Sequence, residues 1–486
     1  MAALARACCD SAPAYSLDFI SARPRSGVVP PARSSGRLCS VRWGVRRHLP
    51  GRDAASRAVR WRPAAVAAAR KLAAAASCAG AAKGPTLSRD VPFPDINAAD
   101  YELPPEVAQR LITPALVVHM DKVRENVRRM LDYVEGDAQR WRPHLKTTKM
   151  PKVWAELLRA GLRRFKVATT RELAVLCQLA EDEGVAGGVD VLVAYPLTGP
   201  ALLRAGQLAE QHPCCRISVL CEGAAGVQET PASLSIFFDV NVGMDRTGLP
   251  IAAACDAVIE VARRAEAVEA GRFRGLHCYE GHLTQASLAE RNAQAVDVYD
   301  RVMQLVGQLE AEGVPVREVI TSGTPGFQRA LAYRPFVEQL PPGVHQISPG
   351  TVVFHDLTVE SVNNDVDLLP AAVLMARVVS HPREGVLTLD AGSKSIAAES
   401  GDPVAFVIGR PGWTPLHCSE EHMPVDVSAD MESVPPKGHL CALVPRHICP
   451  TVNLAEEALL VEPDAGPGEL YTVVPVAARG HELMLP

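Results

Sequence analysis

Arg142-Pro143-His144-Leu145-Lys146-Thr147-Thr148-Lys149 sets two closely spaced lysines, a histidine and two threonines behind an apolar lead-in. A lysine amine presented to a pocket at a strand end condenses with an aldehyde to form a Schiff base. The biological aldehyde that fits is pyridoxal 5'-phosphate. Taken alone, the segment also reads as a basic surface loop, since paired lysines are usually solvated. A second stretch, Thr321-Ser322-Gly323-Thr324-Pro325-Gly326, places two glycines among three hydroxyls. Such a turn can aim backbone N–H and side-chain O–H groups at a phosphate. A lysine and a phosphate cradle facing the same end of a fold is what an anchored pyridoxal phosphate requires.

Three further groups have chemistry to offer. In Asp239-Val240-Asn241-Val242-Gly243-Met244-Asp245-Arg246-Thr247-Gly248, the Arg246 guanidinium suits an anionic ring oxygen or a substrate carboxylate. A salt bridge to Asp239 or Asp245 is the alternative. In Tyr279-Glu280-Gly281-His282, His282 reads as an acid/base or cofactor-stacking group, or as a hydrogen-bonded histidine at a strand end. Far downstream, Arg446-His447-Ile448-Cys449-Pro450-Thr451-Val452-Asn453 offers an H-x-C pair. In an extended segment i and i+2 share a side, so His447 and Cys449 can grip one ion. Imidazole with thiolate favours zinc, and two protein ligands leave positions open for water or substrate. A buried cysteine beside an ordinary histidine is the plainer alternative. His417-Cys418 lacks the same-face spacing.

The elements that must position these groups show in the hydrophobic pattern. Strand candidates are Arg142–Lys146, Phe165–Thr169, Val189–Tyr195, Ile217–Cys221, Leu234–Val240, Phe273–Tyr279, Glu318–Ser322 and Val344–Ser348. Helical spacing lies between them, as in Leu173, Leu176 and Ala180, or Val298, Val302, Leu305 and Leu309, and an N-terminal helix is marked by Val123, Val127, Met130 and Val134. Eight alternations predict a (β/α)8 TIM-type barrel, with a doubly wound open sheet as the alternative. In such a barrel functional groups gather at the C-terminal strand ends, and phosphate binds after strands seven and eight. Lys146 and the 321–326 turn then face the same end. Beyond Gly350 helical periodicity fades and short runs such as Val373–Val379, Val404–Ile408 and Leu440–Val444 predict a mainly-β domain. The expected divisions are an extension over 1–88, a linker or donated β-domain strand over 89–112, the barrel over 113–350 and the β domain over 351–486.

At 486 residues the chain exceeds one ordinary domain. Its net charge of -5 hides an asymmetry: residues 1–90 hold 16 Lys/Arg against 4 Asp, a surplus of +12, which leaves -17 for the rest. An acidic body argues against nucleic-acid and membrane partners. The extension is rich in Ala, Arg, Ser and Pro, which fits an organelle transit peptide, to the chloroplast first and the mitochondrion second. A disordered tail without an address is the alternative. The Ala-rich run from Pro63 to Ala82 is broken by Arg70 and Lys71, which argues against a transmembrane helix. The 13 cysteines show no framework spacing, and four of them (Cys8, Cys9, Cys39, Cys78) fall in the extension. We therefore expect a reducing compartment and no structural disulfides.

The set RPHLKTTK, VATTREL, VLVAYP, DVNVGMDRTG, YEGH, TSGTPG, DAGSKS, SEEH and PRHICPTVN resembles the fold-type III pyridoxal-phosphate enzymes of the D-serine dehydratase and D-threonine aldolase group. The likeness runs in order from about Thr113 to His481, and alanine racemase resembles it more distantly. It implies that Lys146 carries the Schiff base, that Arg246 contacts the phenolic oxygen, and that Ser322, Gly323 and Thr324 line the phosphate. Tyr279 counts among the implied cofactor contacts and His282 among the catalytic groups. His447 and Cys449 match a metal pair, on zinc or another divalent ion. Dehydratases of the group carry His-x-Cys where aldolases resemble His-x-Asp, so Cys449 points to dehydration of D-serine to pyruvate and ammonia. D-threonine aldolase, a non-catalytic cofactor-binding protein and a racemase are the other readings, the last disfavoured because shuttling an α-proton needs no metal. A homodimer is also implied, with one subunit's β domain completing the other's site. Family members often have Glu at Gln346 and an aromatic at Val352, near the expected cofactor and substrate region.

Overall fold

The computed structural model describes residues 92–483 apart from 94–95, 284–286, 364–365 and 467. The chain divides into Met1–Gly80 and Ala81–Pro486, and every described residue lies in the second unit. The expected transit peptide lies outside the described residues.

The first described strand, β1 (Ala115–His119), leads into the helix Met120–Tyr133. That helix forms where Val123, Val127 and Met130 recur on one face, and all three are buried. Then come β2 (Arg164–Val167), β3 (Asp190–Val193), β4 (Arg216–Cys221) and β5 (Ser235–Asn241), with the two-residue β6 (Leu249–Pro250) beside β5, followed by β7 (Phe273–Cys278), β8 (Glu318–Thr321) and β9 (His345–Ile347). These pair in parallel in the order β2-β3-β4-β5-β7-β8-β9. Helices such as Thr170–Asp182, Gly199–Gln211, Ala254–Val268 and Leu288–Ala311 make the crossovers.

The expected first strand, Arg142–Lys146, is not a regular strand. Residues 141–145 nevertheless close the ring between β9 and β2 through two bridges, Trp141 to Ile347 and His144 to Lys166. Arg142 N donates to Ile347 O (2.9 Å), Lys166 N to Pro143 O (2.9 Å) and Leu145 N to Lys166 O (2.8 Å). Pro143 has no N–H to give, so a continuous ladder is impossible there. The barrel's closed end is held by a buried ionic cluster. Arg142 donates to Asp190, Glu318 and Gln346 at 2.7 Å each, and Arg274 pairs with Glu318 and Asp190.

The C-terminal strands are β10 (Ala372–Arg383), β11 (Val386–Leu389), β12 (Ala405–Val407), β13 (Thr414–Pro415), β14 (Met423–Asp426), β15 (Leu440–Pro445), β16 (Glu457–Val461) and β17 (Tyr471–Pro475). Their sheet runs β13-β14-β11-β10-β1-β16-β17, with β15 bridging β10 and β12. The strand contributed from the N-terminal side is thus β1, antiparallel to β10 and parallel to β16. The described part of the expected 89–112 linker or strand forms instead a short turn at Ala98–Tyr101 and the helix Pro105–Ala108. After β17 the chain returns to the barrel, where Ala478 N donates to Lys149 O (3.1 Å). Among the described residues no helix is long and apolar enough to cross a membrane.

Candidate active site

The turn after Leu145 separates the two lysines of the opening motif. Thr148 N and Lys149 N both donate to Leu145 O, at 3.1 and 3.2 Å, and Lys149 takes a positive φ of 49°. Its ammonium is buried, 2.6 Å from Glu172 Oε1, and also donates to Ala478 O. Lys146 is exposed, and among the described residues its Nζ has neither a hydrogen bond nor an ion pair. One lysine is a structural pin and the other is free to react.

Inside the barrel near Lys146 lies a polar line that sequence reading missed. Lys166 Nζ is 3.0 Å from His277 Nε2, and His277 Nδ1 is 2.7 Å from Asp239 Oδ1. All three are buried. Burial, with the charge of Lys146 added, pulls the Lys166 amine down to about 7 against the attraction of Asp239. Burial and then Lys166 hold His277 below its ordinary value, and burial pushes His144 further down with Lys146, Lys166 and His277 behind it. A lysine in the inward register of an apolar strand was the available signal for Lys166.

The loops after β5, β7 and β8 bring the other expected residues. Arg246 does not form the salt bridge considered from sequence: its guanidinium lies over the Tyr279 ring at 4.8 Å, while Asp239 holds His277 and Asp245 accepts from Asn241. Glycine is needed on both sides of that ring, because a Cβ would meet it at 2.3 Å from Gly281 and at 2.9 Å from Gly323. His282 sits against Gly243 with its Nδ1 buried and unpartnered, and no hydrogen bond links it to Lys146 among the described residues. Burial lowers its pKa, opposed by Asp245. In the expected phosphate turn the Ser322 amide is already given to Glu280 Oε2 (3.0 Å), and Tyr299 OH donates to Glu280 Oε1 (2.7 Å). Burial raises the Glu280 carboxyl. Ser322, at φ 54°, leaves its Oγ buried and unpartnered, and Thr324 Oγ1 accepts from Thr351 N.

His447 and Cys449 do meet, but not as an extended pair. His447 is the N-cap residue of the helix Ile448–Leu454, which puts Cys449 in its first turn. Thr451 Oγ1 donates to His447 O (2.8 Å), and Asp356 Oδ2 accepts Ile448 N (3.0 Å). The helix starts there because Asp356, from a distant part of the chain, supplies the missing acceptor. His447 Nδ1 is 2.6 Å from Glu399 Oε1, which leaves Nε2 for a metal. Cys449 Sγ lies 3.2 Å from Thr147 Oγ1 and 3.4 Å from Thr351 Oγ1. Burial opposes charge on both partners, yet their hydrogen bond and mutual attraction lift His447 to about 9 and hold the Cys449 thiol below its ordinary value.

The residues present fit a bound pyridoxal phosphate. The Ser322 hydroxyl is an orphan in a glycine-bearing turn, the Lys146 amine is free, and Arg246 has no carboxylate partner among the described residues. They also fit a metal, with imidazole Nε2 and a thiol as borderline-soft donors. Gln346 lies elsewhere than expected, whereas Val352 follows Thr351, which touches both Cys449 and Thr324. Gln346 belongs to the buried ionic cluster with Arg142 and Glu318, and Val352 is fully buried in the apolar core.

The fold and site define an alanine-racemase-type barrel with a β domain carrying a potential metal pair. "Alanine racemase, N-terminal domain" matches residues 118–354 and "Putative serine dehydratase domain" matches residues 371–461. The chain belongs to the fold-type III pyridoxal-phosphate family that joins these two domains. It is 27% identical over 385 residues to a 3-hydroxy-D-aspartate aldolase of Paracoccus denitrificans (strain Pd 1222), covering 76% of this chain and 92% of the relative. It is 27% identical over 388 residues to a D-threonine aldolase of Arthrobacter sp., covering 78% and 95%. The structure of D-threo-3-hydroxyaspartate dehydratase from Delftia sp. HT23 superposes with a TM-score of 0.62 at 22% identity, covering 77% of this chain and 99% of that one, a likeness of fold.

Proposed function

We propose that this protein is a pyridoxal-phosphate- and metal-dependent lyase of D-3-hydroxy amino acids, and that its reaction is dehydration of D-serine to pyruvate and ammonia. The observation that carries the reading is Cys449 Sγ at 3.2 Å from Thr147 Oγ1, one residue from the free Lys146 amine. When bound, the cofactor supplies an electron sink at the substrate's α-carbon, and a metal supplies a Lewis acid for the β-oxygen. Lys146 Nζ holds the cofactor and then takes the α-proton. His447 Nε2 and Cys449 Sγ hold the metal, with Glu399 fixing the imidazole tautomer through Nδ1. Arg246 neutralises the ring oxygen, and the Ser322 hydroxyl with the Gly323 and Thr324 amides receives the phosphate. Proton loss at Cα and hydroxide loss at Cβ together remove water from the substrate, and the released enamine takes up one water, which breaks its C–N bond and gives pyruvate and ammonia.

Aldol cleavage is the second reading, favoured by the two aldolases at 27% identity. It uses the same groups but breaks Cα–Cβ, with the proton leaving the hydroxyl. Incubation with D-serine, D-threonine and D-3-hydroxyaspartate under defined zinc or manganese separates the two. Keto acid and ammonia support dehydration, whereas glycine with an aldehyde overturns it. Bound cofactor without turnover of any D-amino acid would favour a binding protein. Full activity in a metal-free preparation would remove the role given to His447 and Cys449.

Two further expectations belong with this reading. Chloroplast import rests on the basic, acid-poor composition of residues 1–90 and is tested by fusing them to a fluorescent reporter. A homodimer rests on the resemblance and is tested by sedimentation.

A further inference from the structure

Three parts of the site converge on Gly350-Thr351, just after β9. Gly350 lies against the Lys146 segment, where a Cβ would stand 2.2 Å from His144 O, so no side chain fits there. Trp141 Nε1, from the same segment, donates to Pro349 O (2.9 Å). Thr351 then opens the short 3-10 turn Thr351–Val353, and its carbonyl accepts Phe354 N (3.0 Å) and His355 N (2.7 Å). Its two remaining polar groups take partners from different places. Thr351 N donates to Thr324 Oγ1 (3.2 Å) in the phosphate turn, and Thr351 Oγ1 lies 3.4 Å from Cys449 Sγ in the metal pair.

Both ends of this path are held in place. Thr324 is buried, and its carbonyl accepts Asn363 Nδ2 (2.8 Å). Among the described residues the Thr324 hydroxyl accepts Thr351 N and donates to nothing, so its proton is free for a phosphate oxygen. At the other end Cys449 Sγ has a second hydroxyl neighbour, Thr147 Oγ1 at 3.2 Å, which makes no contact with the turn among the described residues. A thiolate carries no proton, so a Cys449 that holds a metal receives both hydroxyls as donors.

We propose that Thr351 is a positioning residue that couples the phosphate turn to the metal pair, so that filling one raises the affinity of the other. The coupling rests on the cofactor and metal reading of these two places. A phosphate oxygen that accepts the Thr324 hydroxyl polarises it, and the Thr351 N–H bond to the same oxygen atom of Thr324 strengthens in turn. Thr351 is then held with its own hydroxyl against Cys449, and ordering that a metal would otherwise impose is already in place. The same free energy acts in reverse, so a bound metal raises cofactor affinity by the same factor. Thr147 steadies the thiolate without sharing in the coupling.

Zinc affinity of the metal-free full chain is measured by equilibrium dialysis in three conditions: without cofactor, with saturating pyridoxal 5'-phosphate, and with saturating pyridoxal, which lacks the phosphate. We expect pyridoxal phosphate to tighten zinc binding about fivefold or more and pyridoxal to leave it unchanged. Thr351→Val keeps the backbone N–H and removes the hydroxyl, so its zinc affinity should be the same with and without pyridoxal phosphate. Thr147→Val should bind zinc more weakly and keep the response. Equal zinc affinity in all three wild-type conditions, an equal response to pyridoxal, or an undiminished response in Thr351→Val would each overturn the coupling while leaving the two binding sites standing. Failure of zinc or pyridoxal phosphate to bind at all would overturn the two-site reading and the coupling with it. The wild-type comparison decides the matter should a variant fail to fold.

Discussion

Lys146 and Lys149 share one turn, but Lys149 is buried against Glu172 and Lys146 is exposed and unpaired. Lys146→Ala should abolish the absorbance of bound cofactor and all turnover while leaving the unfolding midpoint unchanged. Lys149→Ala should retain the cofactor signal but lose about 3 kcal/mol of stability, since it strands the fully buried Glu172 carboxylate. The reverse pattern in absorbance titrations would reassign the cofactor lysine. Lys166 gives a pH dependence. The unfolded chain keeps its proton up to 10.5, whereas the folded one sheds it near 7, under the influence of burial, Lys146, Asp239, Arg142 and Glu280. The unfolded state therefore holds the extra proton within that window, and stability rises with pH across it, by up to about 1.4 kcal/mol per pH unit for one proton. In Lys166→Met the rise should flatten in thermal melts. An unchanged slope would rule Lys166 out as its source.

Among elements, two short pieces decide the geometry and both begin irregularly. The 141–145 segment is denied a full ladder by Pro143, and the chain turns at Leu145, which leaves Lys146 exposed. The helix Ile448–Leu454 depends on Asp356, whose Oδ1 also accepts Val359 N (2.9 Å). One carboxylate thus serves the starts of two helices. Asp356→Ala should cost roughly 2–3 kcal/mol in urea unfolding, with Asp356→Asn recovering part of it. A loss below about 0.5 kcal/mol would mean that the caps are replaced by solvent. Glu399→Ala should weaken zinc binding about tenfold in competition with a chromogenic chelator, the lower end of the usual range because Glu399 is half-exposed. Unchanged affinity would remove it as the orienting group.

For the whole molecule the charge asymmetry and the two domains matter most. Removal of residues 1–88 should leave the melting temperature of the acidic body unchanged, a differential-scanning comparison that fails if the extension packs into the fold. The barrel was legible because its apolar runs recur with helical spacing between them, and seven of the eight expected strands form. β1 was not legible, because Ala115–His119 pairs with Ala372–Met375 and Leu459–Val461, far downstream in the chain, and local pattern carries no partner. The inward Lys166–His277–Asp239 line was hidden for the same reason: its members lie on β2, β7 and β5, and each reads as an isolated polar residue in an apolar run.

The sequence by itself determined the chemistry available: a reactive amine, a glycine-and-hydroxyl turn, a guanidinium, and an imidazole near a thiol, each recognisable by residue type and spacing. It also determined the alternation that builds a barrel, because hydrophobic periodicity is local. Only the tertiary structure decided which lysine is free, since that depends on Glu172 and Ala478 claiming Lys149. It alone put Cys449 against Thr147, because a contact across 302 residues is made by the return of the β domain onto the barrel. The same packing turned the expected extended H-x-C pair into a helix start, where a distant aspartate supplied the acceptor that the local sequence lacks.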